Sequence, residues 1–204
     1  NAAGPDQVTT TYDTNAVIAV AANDTCPGNN CQVQANTSPT NGTVSYSGTN
    51  ATYDPAAGFW GLDSFTYKVN GGATATVSVL VAPPAVSRQT TFGVPITGDV
   101  TTPSFTGVST VACSGCQYSV STSAAHGSLS INASTGAFTY TPDSAYAGTD
   151  LFKYGITDPV TGLVATGTVN VTIGPDAVDD SVQLLVRNNV VVPVLGNDSC
   201  PGTC

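Results

Sequence analysis

Gly61-Leu62-Asp63-Ser64-Phe65-Thr66-Tyr67-Lys68-Val69 sets apolar Phe65, Tyr67 and Val69 against polar Thr66 and Lys68. A period of two puts one face of a strand in a core and the other in water. The stretch returns as Gly148-Thr149-Asp150-Leu151-Phe152-Lys153-Tyr154, a step of 87 residues. The same step separates Cys26, Cys113 and Cys200, and carries Tyr53 and Pro55 onto Tyr140 and Pro142. A third copy opens near the end, where Asn189, Val191, Val192, Val194 and Asn197 match Asn15, Val17, Ile18, Val20 and Asn23. Self-similarity at a fixed period of this length means tandem domains. The boundaries fall at 1–82, 83–174 and 175–204, the last holding only the N-terminal part of a repeat.

Outward from that strand, each copy reads as short strands between Gly and Pro turns. Gln7 to Asp13 and Ala16 to Ala22 are β-rich, and a cysteine loop leads to Gln32–Ala35. Gly42 to Asp54 is a hairpin with glycine near its tip, and Ala73 to Val81 alternates Thr with Val. About seven strands per copy predict an all-β fold of two-sheet sandwiches. Val81-Ala82-Pro83-Pro84-Ala85 joins the first two copies, and Ile173-Gly174-Pro175-Asp176 joins the next. Proline stiffens such junctions, so the expected assembly is a rod with restricted hinges.

Composition agrees. All thirteen acidic residues are Asp, there is no Glu, and only Lys68, Arg88, Lys153 and Arg187 are basic. Asp favours turns and caps over helix interiors. The formal charge of −9 with no basic cluster argues against nucleic acid. No run of about 18 apolar residues predicts a membrane span. No signal-peptide pattern opens the sequence, as expected of a mature or excised segment.

Asn23-Asp24-Thr25, Asn41-Gly42-Thr43-Val44, Tyr53-Asp54-Pro55, Ala57-Gly58-Phe59 and Gly61-to-Tyr67 resemble the bacterial immunoglobulin-like and cadherin-like tandem repeats of surface adhesins and matrix proteins. The resemblance covers the whole chain and implies tandem immunoglobulin-like β-sandwiches with a spacer or scaffold role. The cysteine pair after Asn-Asp-Thr departs from that pattern. With the low lysine content and many sequons, it is similar to green-algal extracellular glycoproteins such as flagellar mastigoneme subunits.

Cys26/Cys31, Cys113/Cys116 and Cys200/Cys204 are local pairs, one per copy. Six cysteines allow fifteen pairings, and the repeat argues for a bond within each loop. Zinc needs about four converging ligands, and a thioredoxin-type reading of Cys113 and Cys116 needs a helix in a βαβ unit. Disulfides place the chain outside the reducing cytosol. N-glycosylation candidates are Asn50, Asn132, Asn170, Asn36, Asn41, Asn23 and Asn197. Asp176, Asp179 and Asp180 at the second junction form a calcium candidate, since calcium takes oxygen ligands. No other cofactor is expected. Asp63 and Asp150 read as turn caps.

His126, the sole histidine, replaces Asn41 of the first copy and reads as a turn residue. A Ser-His-Asp triad cannot recur around it, and catalysis is not expected. Trp60 and Phe59 are the interface candidate. Trp60 either packs on the sheet edge or contacts a neighbouring domain, subunit or sugar ring. The expected role is an extracellular structural glycoprotein whose repeats build a fibre, stalk or filament. Its expected partners are other copies of the chain, further repeats of a longer parent, and glycans. The alternative is an adhesin repeat binding a cell-surface protein or carbohydrate.

Overall fold

A computed structural model describes residues 2–102, 106, 110–175, 191–194 and 198, with backbone alone at 110–112. Cys200, Cys204, Asn197, Asp176, Asp179, Asp180 and most of the third copy lie outside the described residues.

The first repeat folds as β1 (Asp6–Thr10), β2 (Ala16–Ile18), β3 (Val33–Thr37), β4 (Gly42–Ser47), β5 (Asn50–Pro55), β6 (Phe59–Val69) and β7 (Ala73–Val81). One sheet runs β1-β7-β6-β3 and the other β2-β5-β4. β1 pairs parallel to β7, from Asp6 opposite Val77 to Thr10 opposite Val81, and the repeat's other pairings are antiparallel. The second repeat repeats the plan with β8 (Val86–Thr91), β9 (Ile96–Asp99), β10 (Thr110–Ala112), β11 (Gln117–Thr122), β12 (Gly127–Ile131), β13 (Ala137–Pro142), β14 (Gly148–Thr157) and β15 (Val164–Gly174). Its sheets are β8-β15-β14-β11 and β9-β13-β12, again with a parallel first strand. The fold is all-β, as tandem two-sheet sandwiches.

Alternation sends Phe65, Tyr67 and Val69 inward against Val77 and Val79, all at most 1% exposed. Phe152, Tyr154 and Ile156 do the same against Val169 and Val171. Tyr53 stacks on Phe65 with centroids 6.4 Å apart, and Tyr140 on Phe152 at 5.7 Å. Such pairs add about 0.5–1.5 kcal/mol beyond the area they bury.

Two strands end earlier than the sequence suggests. The strand expected over Ala16–Ala22 ends at Ile18, because the chain turns there with Ala22 N–H donating to the Ala19 carbonyl. That turn aims the Val20 carbonyl at the Tyr67 hydroxyl, 2.6 Å away. The strand expected from Gln7 to Asp13 ends at Thr10, where Asp13 adopts φ 50° in the following turn.

The linker is packed. Ala82 is buried and its N–H donates to the Thr10 carbonyl at 2.8 Å. The buried apolar residues of both repeats form one continuous cluster.

Candidate functional site at the junction of the repeats

Each repeat closes one corner with a Tyr–Asp lock. Asp63 accepts from the Thr40 and Asn41 backbone N–H groups at 3.0 and 2.8 Å, and from the Tyr53 hydroxyl at 3.0 Å. Asp150 accepts from Ala125 and His126 N–H at 3.0 and 2.9 Å, and from the Tyr140 hydroxyl at 2.9 Å. The glycine after each turn is required. A Cβ on Gly42 would meet the Asp54 carbonyl oxygen at 2.6 Å, and one on Gly127 the Thr141 oxygen at 2.6 Å. Burial alone would raise the Asp150 pKa. The bonds from Ala125, His126, Tyr140 and Leu151 outweigh it and hold the carboxyl below the usual carboxylate value.

The second repeat meets the first through the β14–β15 turn. Asp158, 4% exposed, closes that turn by accepting from the Val160 and Thr161 N–H groups and the Thr161 hydroxyl. These bonds outweigh burial and lower its pKa. With its donors satisfied internally, the turn presents carbonyls outward. Thr161 O accepts from Gln7 Nε2 at 2.8 Å, and Val164 O accepts from Thr9 Oγ1 at 3.3 Å. Asp158 and Thr161 thereby line a groove of about 340 Å³ with Thr40, Asp63, Ser64 and Ser78 of the first repeat. Leu80 lies opposite Thr9, on the outward side of the alternation, yet is 0% exposed. Beside this contact, β10 of the second repeat pairs parallel to Phe59–Gly61 of β6.

The sequence pattern of the bacterial Ig domain matches residues 1–82 and again residues 81–172. The chain belongs to the bacterial Ig domain family. Among solved structures, Drosophila N-cadherin EC1-3 is similar at 8% identity over 83% of this chain and 64% of that one, with a TM-score of 0.32. The human desmocollin-1 ectodomain shares 12% identity over 85% of this chain and 39% of that one, at 0.32. An endo-fucoidan hydrolase of glycoside hydrolase family 107 shares 10% over 84% and 28%, also at 0.32. The chain thus spans well under a third of that hydrolase. No curated protein matches the chain in sequence.

Both described bacterial Ig domains carry a disulfide in the loop before the third core strand. Cys26–Cys31 spans a Cα separation of 5.3 Å and Cys113–Cys116 one of 5.4 Å. Among the described residues no three metal-ligating side chains come together, and no helix is long and apolar enough to cross a membrane.

The sequons separate by environment. Asn132 heads a turn in which its Oδ1 accepts from Ser134 N, Ser134 Oγ and Thr135 N, each at 3.0 Å, and its side chain is exposed. Asn36 is exposed, with Nδ2 donating to Thr66 Oγ1. Asn23 is also exposed, but its Nδ2 donates to the Pro5 carbonyl. Asn41 and Asn50 are half-buried, Asn41 within the lock. Asn170 is exposed beside Leu151.

Phe59 and Trp60, the interface candidate, are 1% and 0% exposed, packed at the end of β6 beside the neighbouring repeat. Alternation breaks at this end of β6, where Phe59, Trp60 and Gly61 are all buried alongside β10. The Trp60 indole N–H is buried without a hydrogen-bond partner among the described residues. His126 is a turn residue whose ring stacks on Tyr146, centroids 3.6 Å apart. Sequence reasoning missed Asp158 and Gln7. The signal was the longer Asp158-Pro159-Val160-Thr161-Gly162 turn, which the first repeat lacks.

Proposed function

We propose that the chain is a non-catalytic segment of an extracellular structural glycoprotein whose Ig-like repeats dock in series to build a filament, of the kind that forms flagellar mastigonemes. Tandem Ig-like and cadherin-like repeats with disulfides fit an adhesive or structural role outside the cell. The observation that favours the structural reading is the junction: a closed turn seated on the preceding sandwich, with one buried cluster running through both repeats. A stiff series of sandwiches transmits force and holds spacing, which flexible beads cannot do. The exposed sequons Asn36 and Asn132 are the sites proposed to carry glycans.

Electron microscopy of native material, with intact mass, tests this reading. Regular filaments and a mass above that of the polypeptide are expected. Isolated particles at the bare polypeptide mass would overturn it, and specific retention on a glycan array would favour an adhesin instead.

A further inference from the structure

The junction groove of the first repeat has a counterpart on the second. Strand register makes the two equivalent. Ser64 of β6 faces Ser78 of β7, and Leu151 of β14 faces Asn170 of β15, each pair following its lock acid, Asp63 or Asp150. On the first repeat that surface, with Thr40 and Asn41 at its rim, holds Asp158 and Thr161 of the next repeat. On the second, the same surface is a larger groove of about 510 Å³ that Ala125, His126, Asp150, Leu151 and Asn170 help to line. Leu151 is 43% exposed there.

The donors correspond as well. Gln7 and Thr9 reach the docked turn from β1, at positions paired with Ser78 and Leu80. On β8, Ser87 and Gln89 occupy the equivalent positions, paired with Asn170 and Thr172, and both are exposed. A hydroxyl and an amide are thus offered again, in swapped order. The chain leaves the groove as before: β15 ends at Gly174 and Pro175 follows, as Ala82 and Pro83 follow β7.

We propose that the groove over Asp150, Leu151 and Asn170 is the docking site for an Ig-like repeat that follows in the same chain. Its occupant is that repeat's turn between the last two strands, closed on itself by an Asx bond, with carbonyls facing Ser87 and Gln89. This rests on the reading of the chain as serially docked repeats, and it names the partner surface. Leu151 gives the groove an apolar surface, as Leu62 does at the first junction. Docking also assigns Asn170 a protein contact, incompatible with a glycan there.

The test is the full chain with a second copy of residues 83–174 inserted after Gly174. Paired cysteines report proximity, with bonds located by peptide mapping. Ser78→Cys with Thr161→Cys reports the first junction. Asn170→Cys with Thr161→Cys in the inserted copy reports the proposed one. Cross-linking at the second pair within about two-fold of the first is expected, and Leu151→Arg should slow the second pair at least ten-fold while leaving the first unchanged. Formation of the first link without the second overturns the proposal, as does failure of the first link, on which the equivalence depends. A glycan found at Asn170 of native protein overturns it too. The cross-links form or fail whether or not native material is filamentous, so this outcome is separable from the filament reading.

Discussion

Between β6 and β7 the first repeat turns through Asn70-Gly71-Gly72, whereas the second takes Asp158 to Leu163 between β14 and β15. The short turn uses positive φ at Asn70 and Gly71, 50° and 69°, as a tight hairpin requires. The long one stores its polarity inside, on Asp158, and turns its carbonyls to the neighbouring repeat. A second difference lies at the same end of the second repeat. Ile18 precedes Cys26 closely in the first repeat, while Asp99 and Cys113 in the second are separated by a longer segment that includes β10. Both enlargements meet the first repeat. The core and the Tyr–Asp lock are common to both repeats; the connections that are free to vary have become the joint.

The largest effect that would sharpen this comparison is at Gly167. It lies opposite Tyr154, where the first repeat has Ala75 opposite Tyr67. A Cβ on Gly167 would meet Tyr154 Cζ at 2.1 Å. Gly167→Ala should cost about 3 kcal/mol by overpacking, and Ala75→Gly about 1 kcal/mol through strand entropy. Urea unfolding measures both, and equal costs would mean the two tyrosines sit alike.

Next come the locks. Asp150 is 8% exposed and Asp63 half-buried. Asp150→Ala leaves the Ala125, His126 and Leu151 N–H groups without this acceptor and removes one bond of the Tyr140 hydroxyl, and should cost about 3 kcal/mol against about 2 for Asp63→Ala. Thermal unfolding that ranks them in the opposite order breaks the comparison.

The disulfides should follow. Cys26→Ser with Cys31→Ser, and Cys113→Ser with Cys116→Ser, should each cost about 2 kcal/mol by loop entropy. Paired unfolding curves with and without reductant give the values.

The smallest effect, and the most diagnostic, is a pH dependence of opposite sign in the two repeats. Burial raises the Asp6 pKa, and the neighbouring Asp24 charge adds to the rise against the Tyr67 hydrogen bond. A folded-state pKa above the unfolded one gives stability that is complete below the usual carboxylate value and is lost as pH rises through the raised value. Asp150 and Asp158 are lowered, so their contribution is present above the usual value and lost as pH falls through the lowered ones. Hydrogen exchange near pH 4 should therefore show β1 gaining protection on acidification while the β14–β15 turn loses it. Loss in both places would show that Asp6 is not raised.

Much of this was legible beforehand. Phe65, Tyr67 and Val69 declared their inward face by alternation, Asp63 and Asp150 read as turn caps from their place before the Phe-X-Tyr strand, and His126 as a turn residue from its place before Gly127. Val20 did not, because a strand pattern cannot anticipate a tyrosine hydroxyl drawing its carbonyl out of register. Trp60 and Leu80 were illegible for a related reason. Alternation assigns faces within one sandwich, and Trp60 is buried beside β10 of the second one, while Leu80 is buried on the face that alternation turns outward.

The sequence by itself determined the repeat and the two-sheet plan, and marked Asp63 and Asp150 as turn caps. These depend on side-chain period and on residues close in the chain or returning at a fixed step. Only the tertiary structure decided how one sandwich sits on the next. That contact joins Gln7 to Thr161 and Thr9 to Val164, groups distant in the chain whose meeting leaves no local period to read.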